Sequence, residues 1–376
     1  MVYCVISEFN PFHNGHRYLL KSLPSEAEDY TVCIMSGSFV QRGEPARYDK
    51  WARAKAAVEN GADVVLELPI PFVLSDGDRF GAKGVELAAA LGVPVTMAFG
   101  AETGDLSALE RVASASEAQL MPLIKEELAK GCSYGAARQR ALEQLFPEES
   151  KLLRQPNNLL AAGYLRACLE RGIPYRSVLR TAPHDQEPVG ETASASYIRA
   201  HREEAARFCP VLQSPLLEVD AAERGMMTLL KGRTAEELKK TANISEGLEN
   251  RILSALEQVS SLQELYDTVK TKRYSHAKLR RAVACGVLGI SEELPLAAVP
   301  YLRVLAFGEK GRGLLKTLKK TALLPLCQSG KECEEASETF FAAERYAADL
   351  WNCWSEEPRP SGEEYRRGAA FLGKKL

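Results

Sequence analysis

Four short apolar runs, at residues 2–6, 31–35, 64–68 and 95–99, are separated by stretches patterned as helices. Strands alternating with helices at this spacing predict βαβ crossovers and a parallel sheet, since parallel neighbours need a long return connection. The punctuation agrees. Asp49 is placed to N-cap an Ala-rich helix over 50–59, which Asn60-Gly61 stops. Pro69 and Pro71 end the third run, and a helical pattern over 82–91 precedes the fourth. Residues 107–171 read as helical, interrupted at Gln155-Pro156-Asn157-Asn158, before a strand-like 175–179 and a polar loop to Ser196. Past about Pro210, leucine-rich helical patterning replaces β alternation. The expectation is an α/β, Rossmann-like parallel-sheet domain over residues 1–208 and an all-helical C-terminal domain over 209–376, with the boundary near 205–215.

The 376 residues carry 48 Lys+Arg against 50 Asp+Glu, a net of −2, which excludes a histone-like polycation or a strongly acidic tail. A basic face can still hide in that average. Residues 211–376 hold 25 basic and 23 acidic side chains, whereas the remainder holds 23 and 27. The nine cysteines are scattered without a C-x-x-C pair, so neither a zinc site nor a disulfide framework is signalled, and no metal is expected. The N-terminal residues do not read as a signal peptide. The longest uncharged stretch, residues 87–101, contains Gly92, Pro94 and Gly100 and is too short to span a bilayer. A soluble, cytoplasmic chain with reduced thiols is expected.

The most specific chemistry comes directly after the first run, in Glu8-Phe9-Asn10-Pro11-Phe12-His13-Asn14-Gly15-His16. Ligands of open α/β sheets sit outside the carboxyl ends of strands. Gly15 lets a phosphate approach the backbone, and a helix starting there offers unpaired N–H groups and the positive end of its dipole. His13 and His16 lie three apart, so both rings share one side of the first turn. There they can donate to phosphate oxygens and stabilise charge built during attack at an α-phosphate. Two loop histidines without a ligand are the plainer alternative, and a metal pair lacks a third ligand nearby. A second segment, Ser194-Ala195-Ser196-Tyr197-Ile198-Arg199, can hold the other phosphates. Read alone, it is also a plain N-cap followed by a surface arginine.

NPFHNGH followed by SASYIR resembles the H-x-G-H nucleotidyltransferase superfamily, whose late motif is of the type I-S-x-T-x-I-R. This chain has Ala193 and Ser196 where Ile and Thr are usual. The fuller set of blocks is similar to the bacterial tRNA(Met) cytidine acetate ligase family: EFNPFHNGH, SGSFVQRGEPA (36–46), DKWARAKAAVENGADVVLELP (49–69), FGAETGD (99–105), PNNLLAAGYL (156–165) and KRYSHAKLRRA (272–282). The resemblance implies a nucleotidyltransferase-like ATP-binding domain. It also implies an enzyme that activates acetate with ATP as acetyl-adenylate, then transfers acetyl to N4 of the wobble cytidine of elongator tRNA(Met). ATP is the substrate, with Mg2+ accompanying it. Residue by residue, the ATP loop would be Ile6, Ser7, Glu8, Phe9, Asn10, Pro11, Phe12, His13, Asn14, Gly15, His16, Arg17, Tyr18 and Leu19. Gly100 would line the nucleotide pocket, although Ala101 replaces the family's usual Ser. Asn157 and Arg180, before Thr181, would complete the ATP contacts, and Ser194, Ser196 and Arg199 would take the phosphate tail. His13, His16 and Arg199 would be the catalytic residues. Asn157 reads equally as a helix N-cap ahead of Leu159, and Arg180 as a surface charge. Gln41, Arg42, Gly43 and Glu44 form either a substrate- or RNA-facing loop or a solvated turn.

Two basic clusters fall in the helical half. Lys270, Lys272, Arg273, Lys278, Arg280 and Arg281 occur with no acid between them, interleaved with Tyr274 and His276. Lys310, Arg312, Lys316, Lys319 and Lys320 form the other. Such patches can contact tRNA phosphates, and the Tyr274 ring can stack on a base. Alone they read as solvated helix faces. The resemblance favours tRNA for the first cluster and leaves the second open. Two other functions fit parts of the sequence: a plain nucleotidyltransferase acting on a cofactor precursor, and a non-catalytic RNA-binding protein.

Overall fold

The structure, a computed structural model, describes residues 1–180, 187–245 and 247–373. The chain opens with β1 (Val2–Ser7), α1 (Asn14–Lys21), β2 (Tyr30–Ser36) and a small hairpin, β3 (Phe39–Val40) and β4 (Glu44–Pro45). Next come α2 (Lys50–Glu59), β5 (Val64–Leu68), α3 (Ile70–Val73), α4 (Gly77–Ala89) and β6 (Val95–Ala101). Four helices, α5 (Leu106–Ala113), α6 (Glu117–Ala129), α7 (Tyr134–Leu145) and α8 (Pro156–Arg171), lead to β7 (Tyr175–Leu179). The short α9 (Ala195–Ala200) and α10 (Ala205–Phe208) precede a helical region of α11 (Val219–Lys231), α12 (Ala235–Lys239), α13 (Leu248–Leu256), α14 (Leu262–Val269) and α15 (His276–Leu288). The remainder is β8 (Leu302–Gly308), α16 (Glu309–Thr321), β9 (Leu326–Cys327), α17 (Gly330–Ala336), α18 (Glu338–Cys353), α19 (Glu363–Arg366) and β10 (Ala370–Leu372). Part of the polar loop ahead of Ser196, including Thr181, lies outside the described residues.

The expected runs form a parallel sheet in the order β5-β2-β1-β6-β7. Every residue of β5 is buried, the pattern of a strand covered on both faces. Asp49 caps α2 as anticipated, its Oδ1 accepting from the N–H of Ala52 at 3.0 Å. The helix expected over 82–91 starts earlier, at Gly77, because Asp76 caps it. The strand order reverses at β1, whose neighbours are β2 and β6, so the crevice at its carboxyl end is the natural ligand position.

The α/β class and the helical region past residue 208 hold, but helix does not continue to the C-terminus. After α15 the chain returns to the same sheet, where β8 pairs antiparallel with β5 and carries β10 and β9. The expected parts, residues 1–208 and 209–376, therefore both contribute strands to one sheet. A short run such as 302–308, apolar apart from Arg303, cannot be told from a buried helical segment by periodicity. The helical region also shares its core with the sheet part: Phe39, Ile70 and Leu74 pack with Met226, Leu230, Ala282 and Trp351.

Five ionisable residues from distant segments meet in the interior. Lys50 Nζ lies 2.7 Å from Glu67 and 2.9 Å from Glu364, and Arg303 bridges the same two carboxylates. Glu344 accepts from the N–H of Ile70. Burial works to discharge Lys50, but Glu364 and Glu67 hold its pKa above the usual value. Burial, reinforced by the charge of Glu67, pushes Glu344 far up, so it stays protonated. Two cations then face two carboxylates, and this network ties β8 and α19 to α2 and β5.

Seven of the nine cysteines are buried, and all are free thiols. No helix of the described residues is long and apolar enough to cross a membrane.

Candidate active site

At the end of β1 the chain turns sharply through Phe9, whose φ of +49° is strained for an aromatic residue. The buried Arg53 pins this turn. Its Nη1 donates to the carbonyls of Glu8 (2.5 Å) and Ser36 (3.1 Å), its Nη2 to that of Gly37, and its Nε to that of Tyr48 (2.9 Å). One side chain of α2 therefore fixes the carboxyl ends of β1 and β2. Sequence reasoning misses it, because every partner is a backbone carbonyl.

His13 is the N-cap of α1, and its Nδ1 accepts from the N–H of Gly15 at 3.1 Å. Reciprocally, His16 Nδ1 accepts from the N–H of His13 at 3.3 Å. The rings stack with centroids 3.8 Å apart, and Phe9 meets His16 edge-on at 4.9 Å. This geometry explains the motif. A Cβ on residue 15 would lie 2.9 Å from Cε1 of His13, so the capping ring requires glycine there. Because both Nδ1 atoms accept, both neutral rings carry their proton on Nε2 and present it to the cleft. Burial, with the charges of Arg180 and Arg199, pushes the pKa of His13 down to about 3. Burial and the neighbouring His13 lower His16 well below the usual value. The pair is two neutral donors at neutral pH.

These rings open onto a cavity of about 220 Å³ at the carboxyl ends of β1 and β6. It brings together Ile6, Ser7, Glu8, Phe9, Asn10, Leu19, Gly100, Asn157, Arg180, Ser194, Ser196 and Arg199 with the two histidines. Gly15, Tyr18, Leu179 and Thr192 line an adjoining pocket that shares the histidines, Gly100 and Arg180. Pro11, Phe12, Asn14 and Arg17 line neither. Phe12 is core, its backbone clasped by the amide of Gln213 at 3.0 and 3.1 Å. Asn14 instead ties α1 to the carbonyl of Glu191.

Arg180 is no surface charge. It borders the cavity, burial lowers its pKa, and its buried Nε has no partner among the described residues. Ser194 is the N-cap of α9, while Arg199 donates to the carbonyl of Asn10 at 2.7 Å and to Ser196 Oγ at 3.3 Å. Asn157 is not an N-cap, because α8 begins one residue earlier at Pro156. The cap comes from Glu102, which accepts from the N–H groups of Asn157 (3.1 Å) and Asn158 (3.0 Å) and from Asn157 Nδ2 (2.6 Å). Asn158 answers by accepting from the N–H of Glu102 at 2.8 Å. Sequence reasoning also misses this reciprocal clamp between β6 and α8; the FGAE and PNN words hold both halves without showing that they meet.

The Gln41–Glu44 segment is the β3–β4 hairpin, and Gln41, Arg42 and Glu44 line the cavity. Gly43, at φ +82°, presses onto α15, where a Cβ would come within 2.4 Å of the backbone of Arg281. Glu44 pairs with Arg280 at 3.0 Å, so the hairpin joins the cavity to the helical region.

The first basic cluster divides. Lys270, Lys272 and Arg273 are exposed; Lys278 lies over the ring of Tyr274, and Arg280 and Arg281 are half-buried against the hairpin and α4. Tyr274 is only 5% exposed and its hydroxyl donates to the carbonyl of Ser245, so its ring is core and not a platform for a base. The second run lies on α16, which starts beside Asp63 and ends against Gly92, at the amino ends of β5 and β6. That edge of the sheet is the one opposite the histidines.

Neutral imidazoles at a helix N-terminus, where the order of a parallel sheet reverses, mark a protein that handles nucleotide phosphates. The sequence profile of one such class, described as HIGH Nucleotidyl Transferase, matches residues 1–365. Similar chains within that class include tRNA(Met) cytidine acetate ligases. A tRNA(Met) cytidine acetate ligase of Thermoanaerobacter sp. (strain X514) is 32% identical over 375 residues, covering 92% of this chain and 94% of the relative. One from Bacillus velezensis is 34% identical over 355 residues, covering 86% and 85%. The crystal structure of Thermotoga maritima TmcAL bound with alpha-thio ATP superposes with a TM-score of 0.87 at 29% identity, over 99% of this chain and 100% of that one. The chain belongs to the tRNA(Met) cytidine acetate ligase family.

Proposed function

We propose that the protein joins acetate to AMP at the expense of ATP and passes the acetyl group to N4 of the wobble cytidine of elongator tRNA(Met). The observation that carries this reading is the pair of Nε2–H donors fixed at the start of α1, with Arg180, whose Nε has no partner among the described residues, lining the same cavity. An acetate oxygen attacking the α-phosphorus meets like charge. The Nε2–H groups of the imidazoles would offset it, as the Pα–O bond breaks and diphosphate leaves. Gly100, Asn157 and Arg180 would hold the nucleoside and α-phosphate; Ser194, Ser196 and Arg199 the departing phosphates. Among the described residues no group of three or more His, Cys, Asp or Glu could hold a metal. Mg2+ would therefore be held chiefly by phosphate oxygens and water. In the second step N4 attacks the acetyl carbon and AMP leaves.

The hairpin favours a ligase over a plain nucleotidyltransferase, because the Glu44–Arg280 contact sets the helical region beside the cavity. We assign tRNA contact to that region, through exposed Lys270, Lys272 and Arg273. Replacing Lys272 and Arg273 by Ala should weaken tRNA(Met) binding and reduce its log–log salt slope by about 1 to 2, leaving ATP affinity unchanged. Titrations at several salt concentrations measure this. The activation half is tested by exchange of labelled diphosphate into ATP: it should require acetate. Exchange that ignores acetate would contradict the reading.

A further inference from the structure

We propose that Glu8 is the residue that receives the acceptor base, holding the exocyclic amine of cytosine and taking its proton as the acetyl group arrives. The inference rests on the ligase reading and concerns its second step, the removal of the amine proton.

Glu8 and Glu44 line the cavity and Glu102 bonds to Asn157 in its wall; the last two are committed. Glu102 caps α8 through both of its oxygens, and Glu44 is paired with Arg280. Glu8 differs. Its Oε1 accepts from the N–H of Gln41 at 2.6 Å, whereas its Oε2 has no donor among the described residues. The side chain lines the same cavity as the histidines and is tied to the hairpin by that bond. A carboxylate oxygen left without a donor at a cleft suits an exocyclic amine. The surroundings set the base strength. Burial raises the pKa of Glu8, and the Gln41 N–H and the charges of Arg199, Arg53 and Arg42 only partly counter it. The histidines cannot serve, because their Nδ1 atoms accept backbone N–H groups and their Nε2 atoms already carry protons.

The step balances. N4 bonds to the acetyl carbon, its surplus proton passes to Glu8 Oε2, and the C–O bond to AMP breaks with its electron pair leaving on the phosphate. The same contact selects the base. Uracil presents a carbonyl oxygen at that position, so its lone pairs would face the carboxylate.

Glu8→Gln in the full chain keeps the shape and an acceptor oxygen but cannot take the proton. Acetate-dependent diphosphate exchange, measured on the same variant, reports any loss of ATP handling separately from transfer. Single-turnover acetyl transfer from acetyl-adenylate to tRNA(Met) should fall by about 10² to 10⁴ and lose its rise with pH, and Glu8→Asp should recover part of the rate. Transfer by Glu8→Gln within tenfold of the parent would overturn the assignment, as would equal loss of exchange and transfer in both variants. Absence of acetate-dependent exchange in the parent would overturn the ligase reading, and this inference with it.

Discussion

His16→Ala is expected to lower acetate-dependent diphosphate exchange by about 10² to 10³, the usual cost of one preorganised donor at a developing charge. The Nε2–H of His16 is aimed by its own Nδ1, which the N–H of His13 holds, so a smaller side chain removes the donor and its alignment together. tRNA(Met) affinity should stay nearly intact, because the exposed Lys270, Lys272 and Arg273 belong neither to α1 nor to the cavity lining. A collapse of tRNA binding would contradict this separation. The pH profile gives a second readout. With His13 depressed to about 3 and His16 also well below the ordinary 6.5, neither ring titrates near neutrality, so exchange should show no histidine inflection near 6.5. Stability shifts in the matching direction. Unfolded histidine gains its proton as pH falls through about 6.5, while the folded rings resist it. The stability that the buried pair contributes is complete above that value and is lost towards about 3.

The second large effect is on folding. Arg303→Met should destabilise the protein by about 3 to 5 kcal/mol, because Glu67 and Glu364 would share Lys50 alone in a buried site. Denaturant midpoints measure this, and pairing the change with Glu364→Gln should recover part of the loss by removing the stranded charge. Glu344→Gln should cost far less, since that carboxyl is already neutral. If Arg303→Met were as stable as the parent, β8 would not be held to the sheet by this network.

The parallel sheet and the histidine turn are legible in the sequence because both are local. Residues 2–6 and 64–68 carry their own burial pattern, and His13, Gly15 and His16 lie within one turn of helix. The features that escape sequence reasoning depend on partners far along the chain. The strand at Leu302–Gly308 shows its nature only against β5, and Glu102 becomes a cap only when α8 arrives from 55 residues on. Tyr274, among cations, has the local composition of an RNA-stacking residue. Packing against Ser245 and the helical core decides otherwise. Arg53 reads as one more charge on an Ala-rich helix, and only the fold reveals the carbonyls it gathers.

Labelled acetate, mixed with the protein, ATP and tRNA(Met), gives the most direct test of acetyl transfer to the wobble cytidine. ATP-dependent label is expected on N4 of that base, with one AMP and one diphosphate released per acetyl group. Diphosphate release without label in the tRNA, or AMP retained on another acceptor, would contradict it.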